Sequence, residues 1–114
     1  MVKIVTWNVC LGLKSKKEYV KSKIIEEKID ICCIQESEIP KDFPKDILSF
    51  TGYNLEVENN TIKSRCCTYV RGGIPYVRRS DIEGIDNNIV IIKTVFDKKD
   101  IPNCKSLLIA RRAK

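Results

Sequence analysis

Two polar side chains, Asn8 and Glu36, close two short apolar runs, Lys3-Ile4-Val5-Thr6-Trp7-Asn8 and Asp30-Ile31-Cys32-Cys33-Ile34-Gln35-Glu36. A carboxylate at the end of a buried strand, facing a cleft, is a natural oxygen ligand for Mg2+. That ion usually takes one or two carboxylates and completes its octahedron with water and substrate phosphate. An amide beside it can hydrogen-bond the same phosphate or orient the carboxylate. The chemistry open to this pair is metal-assisted work on a phosphate ester. Other chemistries are excluded by composition. The sequence has no histidine, so there is no Ser-His-Asp or Cys-His apparatus and no zinc site built on imidazole. It has six cysteines, but Cys32-Cys33 and Cys66-Cys67 are adjacent pairs, and neighbours in a strand point to opposite faces. With no C-x-x-C spacing, they read as small apolar residues of strands.

A lone glutamate after an apolar run is most often a solvated loop acid, so the elements that position the pair decide the matter. Val2 to Asn8 reads as a strand with both faces largely apolar, hence buried on both sides and not at an edge. Its Trp7 reads as a core aromatic. Gly12 permits a turn, and Ser15 with Glu18 has the capping-box pattern. The helix this opens runs to about Lys28, with Val20 and Ile24, then Ile25 and Ile29, at i,i+4 spacing. Residues 30–35 form a second buried strand. Strand, helix and strand at this spacing make a crossover unit whose strands are parallel neighbours. Asn8 and Glu36 then share one edge of the sheet, the edge at which open sheets bind ligands.

Further on, Pro40 and Pro44 mark a loop before a short helix through Ile47, Leu48 and Phe50. Residues 52–57 alternate as a strand, and Asn59-Asn60 makes a turn. Ser64 to Arg71 is another strand, with Gly72-Gly73 as a tight turn and Ile74 to Arg78 as its hairpin return. Asn87-Asn88 leads into the strongest β segment, residues 89–96. Beyond Phe96 the period is lost, and residues 97–114 read as a basic tail.

The 114 residues carry a formal charge of +6 with 43% apolar residues, enough for one domain with a core. No apolar run reaches the roughly 18 residues of a membrane span. The opening apolar stretch is too short for a signal peptide. The expectation is an intracellular chain, cytoplasmic or nuclear, that keeps its thiols reduced. Charge is uneven: residues 14–28 are net +3, residues 30–60 net −5, residues 61–96 net +3 and residues 97–114 net +4. A basic rim beside an acidic pocket suits a protein that binds phosphate backbones and holds a divalent cation, although ordinary surface charge gives the same pattern.

The segments Lys3-Ile4-Val5-Thr6-Trp7-Asn8-Val9 and Ile29-Asp30-Ile31-Cys32-Cys33-Ile34-Gln35-Glu36-Ser37, with a lysine-rich helix between them, resemble the opening of the endonuclease/exonuclease/phosphatase superfamily. That superfamily includes deoxyribonuclease I and the abasic-site endonucleases. Ser64-Arg65-Cys66-Cys67-Thr68-Tyr69-Val70-Arg71, followed by residues 73–84, is similar to the version in non-long-terminal-repeat retrotransposons. There the domain precedes a reverse transcriptase and nicks target DNA. The resemblance covers residues 3–96.

What it implies is an α/β fold, a truncated part of the four-layered α/β sandwich of the deoxyribonuclease I-like class. Residues 1–96 would be the N-terminal part of such a domain, and 97–114 a divergent basic tail. By position, Glu36 is the metal-ligating carboxylate and Asn8 the phosphate- or metal-side amide, both counted as catalytic. The implied ion is Mg2+ or Mn2+, and the implied partner is DNA, with no membrane and no small-molecule cofactor. Cys10 stands where the family often has Asp or Asn, and a thiol is a poor ligand for a hard cation. The family's Tyr-Arg segment, Asp-x-Asn loop and final Asp-His pair have no counterpart. Arg71, Arg78 and Arg79 are either solvated hairpin charges or contacts to DNA phosphate. The expected function is that of a fragment of a Mg2+-dependent endonuclease domain, inactive alone. The alternatives are a non-catalytic nucleic-acid-binding remnant and a gene fragment without function.

Overall fold

A computed structural model describes residues 2–10, 12–58, 63–83, 89–96 and 104–111, with Ile89, Val95, Phe96 and residues 104–111 described as backbone. Their elements run in the order β1 (Ile4–Asn8), α1 (Leu13–Glu26), β2 (Ile31–Pro40), a 3-10 turn (Lys45–Ile47), β3 (Tyr53–Val57), β4 (Lys63–Arg71), β5 (Tyr76–Arg78), α2 (Ser80–Glu83), β6 (Ile89–Phe96) and β7 (Cys104–Arg111). One sheet has the order β1-β2-β4-β3 and the other β5-β6-β7. The crossover through α1 makes β1 and β2 parallel, with Ile4 opposite Ile31 and Asn8 opposite Gln35. The remaining pairings are antiparallel. Among the described residues no helix is long and apolar enough to cross a membrane.

The uninterrupted apolar run of β2 follows from its place in the middle of three layers. Cys32 and Ile34 pack with Leu13, Val20 and Ile24 of α1 on one face. Ile31 and Cys33 pack with Val90 and Ile92 of β6 on the other. A strand with no solvent face has no use for alternation. β4 repeats the arrangement, with Cys67 and Tyr69 toward α1, and Cys66 and Val70 toward the second sheet. Each adjacent cysteine pair is therefore split between two cores, as free thiols. Burial pushes the Cys32 and Cys66 thiols up to about 12, with the charges of Cys33 and Glu58 respectively adding to it. At pH 8 such a group is thiolate in about one molecule in 10,000. Iodoacetamide on the native protein is accordingly expected to label the exposed Cys10, and Cys32, Cys33, Cys66 and Cys67 only on unfolding. Peptide mass mapping reads this out, and early alkylation of Cys67 would contradict the packing.

α1 buries Leu13, Val20 and Ile24, each contributing about 1.5–3 kcal/mol by area. It starts two residues before Ser15, with Gly12 at the N-cap and no side-chain cap, so the capping box is not formed. Burial of Leu13 extends the helix past the local signal. The stripe also passes by Ile25, which is 51% exposed. At the other end the Ile29 and Lys28 N–H groups donate to the Ile24 and Ile25 carbonyls at 3.0 and 3.2 Å. Lys28 takes the left-handed φ of +53°. This is a Schellman closure with lysine where glycine is usual, held by the buried pair Ile24 and Ile29.

Three expectations are corrected. β1 is the edge strand of its sheet, not a central one: Val5 and Trp7 are half-buried toward α1, and Ile4, at 43%, Thr6 and Asn8 are exposed. Apolar composition reports burial of faces and is silent about the number of neighbours. β5 does not return along β4. It crosses to the second sheet, with Tyr76 opposite Thr94 and Arg78 opposite Ile92. Gly73 does turn, at φ +96°, and the Gly72 N–H donates to the Gly52 carbonyl at 2.7 Å. A Cβ on Gly72 would lie 3.2 Å from that oxygen, so a larger residue there would have to push the Gly52 carbonyl back by a few tenths of an ångström. Third, Cys104–Arg111 is a strand, paired along the whole of β6 from Arg111 opposite Ile89 to Cys104 opposite Phe96. The unbroken run Leu107-Leu108-Ile109-Ala110 hides any period of two. Arg112 and Lys114 of the expected tail, and the turns at Asn59-Asn60 and Asn87-Asn88, lie outside the described residues.

Candidate active site

The parallel register carries Asn8 and Gln35 side by side to the carboxyl ends of β1 and β2, and the Val9 N–H continues the ladder to the Gln35 carbonyl at 3.1 Å. Past Gln35, β2 leaves its register with β4 until Ile39. Glu36 and Glu38 take left-handed φ angles of +57° and +49°, a conformation that costs a non-glycine residue of order 1 kcal/mol or more. Ser37 between them is fully buried, and its Oγ donates to the Ser64 carbonyl at 3.0 Å. That bond anchors the bulge to β4. The bulge turns Glu36 toward β1, where Asn8 Nδ2 donates to Glu36 Oε2. The Cys10 N–H donates to Asn8 Oδ1 at 2.8 Å, which fixes the amide with its nitrogen toward the carboxylate. Lys16 Nζ in turn donates to the Val9 and Cys10 carbonyls at 2.5 and 3.1 Å, holding the β1–α1 connection in place. Asn8 and Glu36 are thus brought together by a strand pair, a bulge and a lysine clamp.

The arginines go elsewhere. Arg71 Nε lies 2.5 Å from Asp30 Oδ1, and the Lys3 N–H donates to Asp30 Oδ2 at 2.7 Å. This places Arg71 at the amino ends of β1 and β2, the end of the sheet opposite Glu36. Arg78 points inward, donating from Nε and Nη2 to both oxygens of Glu83 at 2.7 Å. Arg79 makes a forked pair with the exposed Asp81 at 2.9 and 2.8 Å. Each guanidinium has its own carboxylate, and the three do not share a patch.

Among the described residues no group of three or more metal-ligating side chains gathers round one point. Glu36 supplies a single carboxylate, and Asn8 Oδ1 already accepts the Cys10 N–H. That donor set fits a hard cation held by one protein oxygen, with water and phosphate completing its shell. It does not fit a closed, all-protein site.

Beside Asn8 the surface opens into a cavity of about 550 Å³ between the end of β1 and the start of α1, lined by Trp7, Lys14, Lys16, Lys17 and Tyr19 among others. The lysines of α1 read from sequence as a solvated face, and Tyr19 carried no signal. The absence of any acid in the first turn of α1 was the available clue, since helix N-termini favour acids and these positions hold lysine.

A parallel β1–β2 pair joined by a crossover helix, with a second sheet packed behind it, is an arrangement of the deoxyribonuclease I-like class of α/β fold. The chain is similar to the crystal structure of AP endonuclease LMAP from Leishmania major, with a TM-score of 0.70 and 18% sequence identity over 96% of this chain. It spans 39% of the length of that enzyme's chain. No family model and no curated protein matches it by sequence. The fold expected from the two strand ends is therefore the fold of the chain.

Proposed function

We propose that the chain is part of a divalent-metal-dependent phosphodiesterase domain of the retrotransposon endonuclease type, with DNA as its partner and without hydrolytic activity of its own. The observation that carries this reading is the Asn8–Glu36 contact at the carboxyl end of the parallel strand pair. Glu36 would hold Mg2+ or Mn2+, which when bound offsets the negative charge that develops on a phosphate under attack. Asn8 orients the Glu36 carboxylate, and Lys14 and Lys17 line the adjacent surface, where they favour a phosphate backbone. Hydrolysis also requires a base for the attacking water and a proton for the leaving oxygen. The sequence has no histidine for either task, and the site holds one carboxylate.

Plasmid nicking by the 114-residue chain in Mg2+ is expected to match that of Glu36→Ala, while Mn2+ binding, followed by electron paramagnetic resonance, weakens in the same variant. A Mg2+-dependent nick that disappears in Glu36→Ala would overturn the inactivity, and equal Mn2+ binding would remove Glu36 from the metal role. The second reading, a non-catalytic nucleic-acid binder, is favoured by the lysines round the cavity. On that reading binding falls steeply with salt and persists in Glu36→Ala.

A further inference from the structure

We propose that the cavity beside Asn8 takes one unpaired nucleotide of a single-stranded nucleic acid, its base in the corner between Trp7 and Tyr19 and its phosphate toward Lys14 and Lys17. The proposal rests on the nucleic-acid reading above and names the form of strand the site accepts. The rings of Trp7 and Tyr19 meet edge to face, 5.9 Å between centroids at 73°. Two flat rings near a right angle make a corner in which a planar base lies against one face and meets the other ring at its edge. Tyr19 is 60% exposed, with Lys23 Nζ 6.0 Å from its ring centroid, so the ring stands at the surface with a cation beside it.

The volume of about 550 Å³ falls within the ~300–1,000 Å³ of small-ligand sites, enough for a nucleotide. Around it stand three lysines and one acid, Glu18. Glu18 lies 3.7 Å from Lys17 Nζ, and Lys16 is engaged by backbone carbonyls. A basic groove interleaved with aromatic rings is how proteins bind single strands irrespective of sequence. The cavity also shares Asn8 with the Glu36 site, so a nucleotide seated here brings its neighbouring phosphate to that carboxylate. A paired base inside a duplex cannot reach the corner.

Trp7 is the only tryptophan of the chain, so its emission reports the cavity directly. The test titrates the 114-residue chain with oligo(dT), oligo(U) and a DNA duplex of equal phosphate number, at low salt and in EDTA. Both single strands are expected to quench Trp7, the tighter one showing whether DNA or RNA is preferred. The duplex should bind with little quenching. Tyr19→Ala should weaken single-strand binding by about tenfold or more, with Tyr19→Phe retaining it. Tyr19→Ala should stay folded with a melting temperature lowered by a few degrees at most, since the side chain is largely exposed and loses one ring contact. Equal quenching by duplex and single strand, or none by either, would overturn the proposal. Mn2+ binding, read by electron paramagnetic resonance on Tyr19→Ala, should match that of the parent. Failure of the metal-site reading therefore leaves this result standing, and loss of quenching with Mn2+ binding intact defeats the nucleotide pocket alone.

Discussion

Arg78→Met is expected to cost about 3–5 kcal/mol of stability, a large share of the roughly 5–15 kcal/mol that holds a domain folded. The Glu83 side chain is 1% exposed. Both its oxygens accept from Arg78, and Oε2 also accepts the Ile91 N–H at 2.7 Å. Removing the guanidinium leaves a carboxylate inside the protein without its countercharge. The effect extends beyond one pair, because Arg78 Nη1 lies 3.3 Å from Glu56 Oε1, and Tyr76 Oη donates to Glu56 Oε2 at 2.6 Å. Glu56 sits on β3 of the first sheet, and Tyr76 and Arg78 on β5 of the second, so this cluster fastens sheet to sheet. Urea unfolding of Arg78→Met, Glu83→Leu and the double variant checks the argument. The double variant should recover part of what Arg78→Met loses, since the buried carboxylate is gone, while Glu56 still lacks Arg78 and the Ile91 N–H its acceptor. A loss under 1 kcal/mol in Arg78→Met would show that the pair behaves as a surface one.

Ile34→Ala is expected to cost about 2–5 kcal/mol, through lost transfer free energy and the cavity left in the middle of the first sheet. Ile34 is fully buried and stands between Trp7 of β1 and Cys67 of β4, against the α1 core. Ile25→Ala removes the same atoms from a half-exposed helical position and should stay within about 0.5 kcal/mol. Thermal or urea unfolding of the two variants side by side tests the assignment of faces. Equal losses would place Ile25 in the core.

The contrast between these isoleucines shows what the sequence made legible. β2 was readable because an apolar strand of that length, after a lysine-rich helix, has little choice but the centre of a layered α/β fold. The meeting of Asn8 and Glu36 was readable for the same reason: a crossover helix forces its flanking strands parallel, and their ends together. The bulge that turns Glu36 was not readable, because its anchor is a tertiary bond from Ser37 to the Ser64 carbonyl. Ile25 and Ile29 satisfied the helical period equally, and only the Schellman turn decides that Ile29 goes inward. The Gly72-Gly73 turn announced a reversal without saying which sheet receives the chain. Arg71 looked available because its partner Asp30 lies 41 residues away, whereas Asp81 and Glu83 stand close in sequence to Arg79 and Arg78.

β1 has a consequence for how the molecule behaves in bulk. Its outer row of backbone N–H and C=O groups has no strand beside it among the described residues, and Ile4 is exposed on the same strand. Such a row is a template on which a second copy can add itself, strand to strand. Opposing that addition is the common charge of +6. That repulsion reaches about 10 Å in 0.1 M salt and about 3 Å in 1 M salt. Concentrated salt therefore lets exposed β1 edges approach one another, and a dilute buffer lengthens the reach of the repulsion between copies.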